Sequence, residues 1–195
     1  MKTAIIKYNA GNIQSVMYAL DRIGADYVWT DDPDTIKAAD KVIFPGVGEA
    51  STAMKYLRER KLDILIKDLK QPVLGTCVGM QLLCRHSQEN DTEAIGVFDV
   101  AVQRFAQTPN LKVPHTGWNT IFDYKSPLTK GIANNAFVYF VHSYAAPVCP
   151  YTVATCDYVA PFSAMLHHNN FYAAQFHTEI SGDVGQQILV NFLGL

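Results

Sequence analysis

The chain has 195 residues, of which 49% are hydrophobic, and its formal net charge at pH 7 is −2. This length suits one large domain, or at most two small ones, with enough apolar residues for a core that needs no cross-links. The near-neutral charge and the lack of a basic block argue against a nucleic-acid or charged-membrane partner.

The four cysteines contain no C-x-x-C pair, so the sequence predicts neither a zinc site of that spacing nor a disulfide framework. The N-terminal residues carry only a three-residue apolar run before a lysine, which is typical of neither a signal peptide nor a membrane span. We therefore expect a cytoplasmic location, where a cysteine stays free to react.

Strands and helices alternate through the first half of the chain. Short apolar runs predict strands at 3–7, 26–30, 41–44 and 72–75. Helical spacing predicts helices after the first, third and fourth runs, and Asn12 is a suitable N-cap for the first of them. This alternation is typical of a parallel, doubly wound sheet with helices on both faces.

The second half is rich in β-type runs and ends in an amphipathic helix predicted over 183–193. No linker, repeat or low-complexity segment interrupts the chain. We therefore expect a single α/β domain over 1–195, with a mostly parallel sheet and an antiparallel β addition in the C-terminal half.

The stretch "VLGTCVGMQLL" places Cys77 between two glycines, after a predicted strand and before a predicted helix. This pattern is typical of a nucleophile elbow, in which small residues let the strand and the helix approach closely. We expect the helix N-terminus to favour the thiolate of Cys77, and the amide of Val78 to face a developing oxyanion. The alternative is a buried structural cysteine.

A base for this thiol is sought among six histidines, of which His177 in "QFHTEISG" stands out. Glu179 lies two residues further on, where a carboxylate can orient an imidazole and stabilise its charged form. The alternative is a partly exposed histidine at a strand end with an unrelated glutamate. The loop "PGVGEA" offers backbone amides toward a ligand, although it also reads as an ordinary turn between a strand and a helix.

The ordered set of "GTCVGMQ" and, about a hundred residues later, "QFHTE" resembles the class I (triad) glutamine amidotransferases. "KYNAGN", "PGVG", "PHTGWN" and "FVHSY" narrow the resemblance to the branch that forms the glutaminase subunits of imidazole glycerol phosphate synthases. The resemblance runs from about Ile5 to the end of the chain.

The resemblance implies that Cys77 attacks the side-chain amide of glutamine and forms a thioester, releasing ammonia. It implies that His177 transfers the proton and activates water, that Glu179 orients His177, and that the amides of Val78 and, after a peptide flip, Val47 hold the oxyanion. The implied glutamine-binding residues are Gly48, Gln81, Glu93, Ser143 and Tyr144. No metal and no cofactor are expected.

The resemblance also implies a partner, a (β/α)₈-barrel cyclase that uses the ammonia to form imidazole glycerol phosphate and AICAR in histidine biosynthesis. Asn12, Trp118 and Tyr139 match family positions at or near the partner face, although Trp118 could instead cap the core. Glycines flank Val47. We hypothesise that this peptide turns its carbonyl into the oxyanion site until the partner binds its own ligand.

Two positions depart from the usual family pattern: Thr178 replaces proline, and Ile180 replaces a basic residue. We expect the triad to form with a looser Glu179, because threonine frees the φ that proline would fix. Ile180 leaves room for an amidotransferase subunit that serves a different ammonia-accepting synthase. A non-catalytic scaffold and a free-standing cysteine hydrolase are less favoured, because the triad and the glutamine-pocket residues are present.

Overall fold

The computed structural model describes residues 1–9 and 13–195. The strands are β1 (Lys2–Ile6), β2 (Asp26–Thr30), β3 (Lys41–Phe44), β4 (Val73–Thr76), β5 (Cys84–Ser87), β6 (Thr92–Glu93), β7 (Phe98–Arg104), β8 (His115–Ile121), β9 (Ala136–His142), β10 (Tyr144–Ala145), β11 (Thr152–Asp157), β12 (Pro161–His168) and β13 (Phe171–Ala174). The helices are α1 (Gln14–Arg22), α2 (Pro33–Ala38), α3 (Ala50–Glu59), α4 (Leu62–Asp68), α5 (Val78–Leu83) and α6 (Gly182–Leu193). Within the described ranges no helix is long and apolar enough to cross a membrane.

The central sheet has seven strands among the described residues, in the order β11-β12-β13-β4-β3-β1-β2. The five strands from β13 to β2 run parallel, and β12 and β11 extend the sheet in antiparallel fashion. The predicted mostly parallel sheet with an antiparallel addition from the second half of the chain is therefore confirmed. The remaining described strands form two smaller sheets, β10-β7-β5-β6 and β8-β9.

Helices cover both faces of the central sheet, as the sequence predicted. On one face of the sheet, Ile6 of β1 packs in one core with the apolar side chains of α2, α3 and α4. On the opposite face, Ile5 of β1 packs in a second core with the apolar side chains of α1 and α6. Successive residues of a strand point to opposite faces, so the apolar end of β1, residues 4–6, contributes to both cores.

Three neighbouring strands end at the same edge of the sheet and lead into the candidate site. β3 runs into the loop 45–48, β4 runs into Cys77, and β13 ends three residues before His177. Because parallel strands present their carboxyl ends together, segments that are far apart in sequence meet there. Helix α1 is shorter at both ends than the predicted spacing suggested, and its proposed N-cap Asn12 lies outside the described residues.

We expect Gly185→Ala to lower the free energy of unfolding by about 2 kcal/mol, a typical cost of overpacking. Gly185 lies in α6, and a Cβ atom there would come within 2.0 Å of the carbonyl oxygen of Thr178. Urea denaturation measures the change. Gly194→Ala is the matched control, because its Cβ would lie 3.4 Å from the carbonyl oxygen of Val190, an ordinary contact distance. Equal stability of the two variants would contradict close packing of α6 on the segment that carries His177.

Candidate active site

Cys77 occupies the sharp turn between β4 and α5, with φ 51° and ψ −113°. A non-glycine residue rarely adopts a positive φ, and its strain persists only where the surroundings hold it. A Cβ on Gly79 would lie 1.9 Å from the carbonyl oxygen of Phe44, and one on Gly75 would lie 2.7 Å from Leu83 Cδ1. Neither glycine of the predicted elbow leaves room for a side chain, so both allow strand, helix and loop to approach closely.

His177 and Glu179 form a buried pair beside this turn. Nδ1 of His177 lies 2.7 Å from Oε1 of Glu179, and the two residues are 7% and 8% exposed. Burial alone would lower the pKa of His177, but hydrogen bonds to Cys77 and Glu179 outweigh it and raise the pKa to about 10. The structure therefore brings Cys77, His177 and Glu179 together in an arrangement that favours an imidazolium at neutral pH.

Thr178, where the resemblance led us to expect a proline, is buried at the start of the 3₁₀ turn Thr178–Ile180. His177 has φ −84° and ψ 101°, an extended conformation that a residue before proline also adopts. The conformation of His177 is thus compatible with either residue at 178, and the 2.7 Å contact between His177 and Glu179 forms with threonine present.

The loop 45–48 lies against the start of α5. The N–H of Val78 donates to the carbonyl oxygen of Gly46 at 3.3 Å. In a trans peptide the N–H points opposite to the C=O, so the N–H of Val47 is directed away from Val78. Tyr8 donates its hydroxyl to the carbonyl oxygen of Pro45 at 2.6 Å. The two amides predicted to hold an oxyanion therefore do not converge in this conformation.

A cavity of about 280 Å³ opens in front of Cys77. Most of the residues that the sequence assigned to the site line it: Val47, Gly48, Cys77, Val78, Gln81, Ser143, Tyr144 and His177. Nε2 of Gln81 donates to the carbonyl oxygen of Tyr144 at 2.9 Å and to Oε1 of Gln175 at 3.1 Å. Both hydrogens of this amide are thus engaged within the protein, which leaves the Gln81 oxygen to accept from a ligand.

Glu93, predicted to bind glutamine, does not line this cavity. It lies in β6 opposite His86, and its side chain is 87% exposed and 4.0 Å from Arg58. Glu89 lines the cavity instead, and its Oε2 accepts from the N–H of Ala50 at 2.8 Å. The prediction that Glu93 lies in the glutamine pocket is therefore wrong. The chain turns between the two glutamates, and this turn carries Glu93 away to the surface.

Ser181 is a further residue of the site that the sequence reasoning missed. The N–H of His177 donates to the carbonyl oxygen of Tyr139 at 3.0 Å. The N–H of Tyr139 donates to Oγ of Ser181 at 2.9 Å, and that hydroxyl donates to the carbonyl oxygen of His177 at 2.6 Å. Both backbone polar groups of His177 are thus held by Tyr139, one of them through the buried Ser181 hydroxyl. Only its place four residues after His177 could have pointed to it.

The outer face of the β8-β9 sheet is apolar and exposed. Trp118 is 55% exposed and meets Tyr139 edge to face, with 5.7 Å between ring centroids. Phe137 and Val141 lie on the same strand face as Tyr139 and are 59% and 40% exposed. Trp118 therefore does not cap the core. Asn12, the third residue assigned to the partner face, lies outside the described residues.

We expect the stability difference between the wild type and Glu179→Gln to shrink as the pH rises from 6 to 10. The folded-state pKa of His177 is about 10 and its ordinary value is 6.5. The imidazolium therefore stabilises the fold fully below pH 6.5, and this contribution is lost as the pH approaches 10. Below pH 6.5 the substitution should cost about 1.5–3 kcal/mol, the range for a hydrogen bond to a charged group.

Urea denaturation of both proteins at several pH values measures this difference. The variant Glu59→Gln is the control, because Glu59 is an exposed residue on α3 whose ion-pair partner is the exposed Arg60. A difference between wild type and Glu179→Gln that grows with pH would contradict the assignment of a charged His177.

A family profile and full-length relatives identify proteins to which this chain is similar. The family profile described as "Glutamine amidotransferase class-I" matches residues 4–194. A relative from Bacteroides fragilis named "Imidazole glycerol phosphate synthase subunit HisH" is 58% identical over 100% of both chains. A relative of the same name from Escherichia coli is 45% identical over 99% of both chains.

Solved structures share the fold at low sequence identity. A crystal structure of a glutamine amidotransferase has a TM-score of 0.76 at 17% identity, over 98% of this chain and 97% of the other. PurLQS from Thermotoga maritima has a TM-score of 0.69 at 14% identity, over 99% of this chain and 97% of the other. The profile match over almost the whole sequence and the full-length relatives establish that the chain belongs to the class-I glutamine amidotransferase family.

Proposed function

We propose that this chain is the glutamine amidotransferase subunit of an imidazole glycerol phosphate synthase and acts in histidine biosynthesis. The observation that carries the proposal is a cavity lined by Cys77 and His177, with Glu179 bonded to His177, in a chain similar over its full length to proteins of that name. We further propose that residues 1–195 form one amidotransferase domain. It works in the cytoplasm, where reducing conditions keep Cys77 a thiol.

The proposed reaction begins when Sγ of Cys77 attacks the side-chain amide carbon of glutamine. His177 protonates the amide nitrogen as the C–N bond breaks, so that ammonia leaves and a γ-glutamyl thioester remains. His177 then takes a proton from water, which attacks the thioester and releases glutamate and the thiol. Glu179 keeps the imidazole oriented through Nδ1, a role supported by the 2.7 Å contact.

Recognition of glutamine requires an acceptor for its α-amino group and donors for its α-carboxylate. Glu89 and Gln81 both line the cavity, and each carries a side-chain oxygen that can accept a hydrogen bond. Burial and the neighbouring Glu49 raise the pKa of Glu89, although the Ala50 amide opposes them. We propose that Glu89 binds the ammonium group of the substrate and that Ser143 and Tyr144 form the opposite wall.

We propose that the oxyanion site is closed in this conformation and opens by a flip of the Gly46–Val47 peptide. The support is the hydrogen bond from Val78 to Gly46, which occupies the first oxyanion donor with a carbonyl. After a flip, the N–H of Val47 would face the site beside that of Val78. Gly48, which follows this peptide unit, has φ +101°, a conformation that glycine adopts without strain.

We propose that the partner is a (β/α)₈-barrel cyclase, which docks on the exposed face formed by Trp118, Phe137, Tyr139 and Val141 and receives the ammonia. Exposed aromatic side chains grouped in this way are typical of the centres of protein interfaces. Ile180, which is 43% exposed, adds an apolar side chain where a basic one was expected. The apolar character of this face fits a contact that does not depend on an ion pair at 180.

We expect glutamate release from glutamine only when the chain is mixed with its cyclase and the nucleotide ligand of that cyclase. Cys77→Ala should reduce this rate by at least about 10³-fold, because it removes the nucleophile. A coupled glutamate assay on the chain alone, with cyclase, and with cyclase plus ligand measures it. Full activity of the chain alone would exclude the closed oxyanion site. Activity only with a different synthase would favour the alternative acceptor.

We expect Trp118→Ala to weaken binding of the cyclase by at least about tenfold, the effect of a tryptophan at the centre of an interface. Trp29→Ala is the matched control, since Trp29 is the other tryptophan of the chain and is 41% exposed on the edge strand β2. Isothermal titration of each variant with the cyclase measures the Kd. Equal losses of affinity in both variants would indicate that the cyclase does not dock on the face that contains Trp118.

A further inference from the structure

Two buried histidines beside the cavity have no part in the proposed reaction. His115 in β8 and His142 in β9 face each other in the antiparallel register, and they are 3% and 6% exposed. Nδ1 of His115 lies 3.1 Å from Nε2 of His142. Since His142 lines the cavity and His115 lies behind it, the pair leads from the wall of the site into the core.

The surroundings of the pair are aromatic and disfavour charge. The ring of His115 stacks on Tyr158 at 3.8 Å and on Phe140 at 4.7 Å. The ring of His142 lies 5.2 Å from the rings of both Phe105 and Phe162. Burial lowers the pKa of His115 to about 4 and that of His142 to about 3. Both rings are therefore neutral at pH 7, and each has one donor and one acceptor nitrogen.

The hydrogen-bond partners fix which nitrogen carries the proton. Nδ1 of His142 lies 2.8 Å from the carbonyl oxygen of Tyr144, which can only accept, so the proton is on Nδ1. Nε2 of His142 then accepts from Nδ1–H of His115. Nε2 of His115 in turn faces the side-chain Nδ2 of Asn119 at 3.4 Å.

The orientation of the Asn119 amide agrees with this direction. Its oxygen accepts from the N–H of Thr120 at 2.8 Å, and its Nδ2 donates to the carbonyl oxygen of Asp157 at 2.8 Å. The amide therefore offers a hydrogen, and not an oxygen, to His115. All bonds point the same way, from Asn119 through His115 and His142 to Tyr144.

The chain ends on the backbone that forms one wall of the cavity. The carbonyl oxygen of Tyr144 accepts from both His142 and Gln81, and the carbonyl oxygen of Ser143 accepts from the N–H of Phe105 at 3.0 Å. Ser143 and Tyr144 both line the cavity. Without the donor at His142, the carbonyl oxygen of Tyr144 would keep, among the described residues, only its hydrogen bond from Gln81, which itself lines the cavity.

We propose that His142, oriented by His115, is a positioning residue for glutamine: a one-way hydrogen-bond chain of neutral, Nδ1-protonated histidines fixes the Ser143–Tyr144 wall of the pocket. The inference rests on the proposed function, because it takes glutamine as the ligand. It differs from the roles of Cys77, His177 and Glu179, since neither His115 nor His142 exchanges a proton with the substrate. Its effect falls on glutamine affinity and not on the chemical step.

The first test is ¹⁵N NMR of the full chain with labelled histidines at pH 7. We expect His115 and His142 both to appear as neutral Nδ1–H tautomers, with assignment from His115→Phe and His142→Phe. An Nε2–H tautomer or an imidazolium at either position overturns the chain. This readout needs no turnover and no partner, so it stands apart from the proposed function.

The second test is the Kd of glutamine by NMR titration in a Cys77→Ala background, where the substrate stays intact. We expect His142→Phe to raise the Kd about tenfold, the equivalent of one net hydrogen bond. His142→Asn should restore most of the affinity, because its amide places a donor near the position of Nδ1. Should His142→Phe fail to fold, His115→Phe tests the same chain from one bond further away.

The outcomes of this titration separate the positioning role of His142 from the proposed function. A wild-type Kd in folded His142→Phe overturns the positioning role, and so does an equal loss in His142→Asn, which would indicate a merely structural role. Absence of glutamine binding in the Cys77→Ala parent overturns the proposed function together with the positioning role, whereas the tautomers still report on the chain itself. His167→Phe, on the distant β12–β13 hairpin, is the control and should leave the Kd unchanged.

Discussion

The site depends on the left-handed backbone of Cys77. Such a conformation costs on the order of 1–3 kcal/mol for a residue other than glycine, so the surrounding packing must hold it. That packing is backbone against backbone: Gly79 lets the first turn of α5 touch the carbonyl of Phe44, and a Cβ on Gly46 would lie 2.4 Å from the N–H nitrogen of Gly79. The same close approach brings Val78 against Gly46. Cys77 and the loop 45–48 are therefore parts of one packed unit.

Strand β9 joins this unit to the outer face. Its backbone contacts the triad directly, because Tyr139 holds both polar groups of His177 and the carbonyl of Val141 lies 3.8 Å from Sγ of Cys77. Its side chains alternate, so that Val138 and Phe140 are buried and Phe137 and Val141 are exposed. A molecule bound to the outer face would thus lie one strand away from Cys77 and His177. If a bound molecule contacted β9 more favourably in one of two strand positions, it would shift the placement of Cys77 and His177 together.

The sequence was sufficient for the parts of this site that depend on local pattern. Alternating strands and helices predict the parallel sheet, and the glycines around Cys77 predict the elbow, because only small residues permit that turn. The sequence was not sufficient where the direction of a side chain depends on the backbone conformation of a turn. Asn90 and Asp91 both take a positive φ, which sends Glu89 toward the cavity and Glu93 to the surface. Nothing in "SQENDTE" distinguishes the two glutamates. Ser181 was missed for a related reason, since it acts on a strand 42 residues away through backbone groups.

The proposed flip of the Gly46–Val47 peptide has two costs, the hydrogen bond from Val78 to Gly46 and the close packing of Gly46 on Gly79. The flip breaks one hydrogen bond, from Val78 to Gly46, whose net worth is about 0.5–1.5 kcal/mol. The bond from Tyr8 to the carbonyl of Pro45 lies one peptide earlier and can persist, so the loop stays anchored while a single peptide turns. A shift of about 1.4 kcal/mol changes a two-state population tenfold. Each such increment by which a bound partner favours the flipped peptide would therefore raise the ratio of open to closed site tenfold.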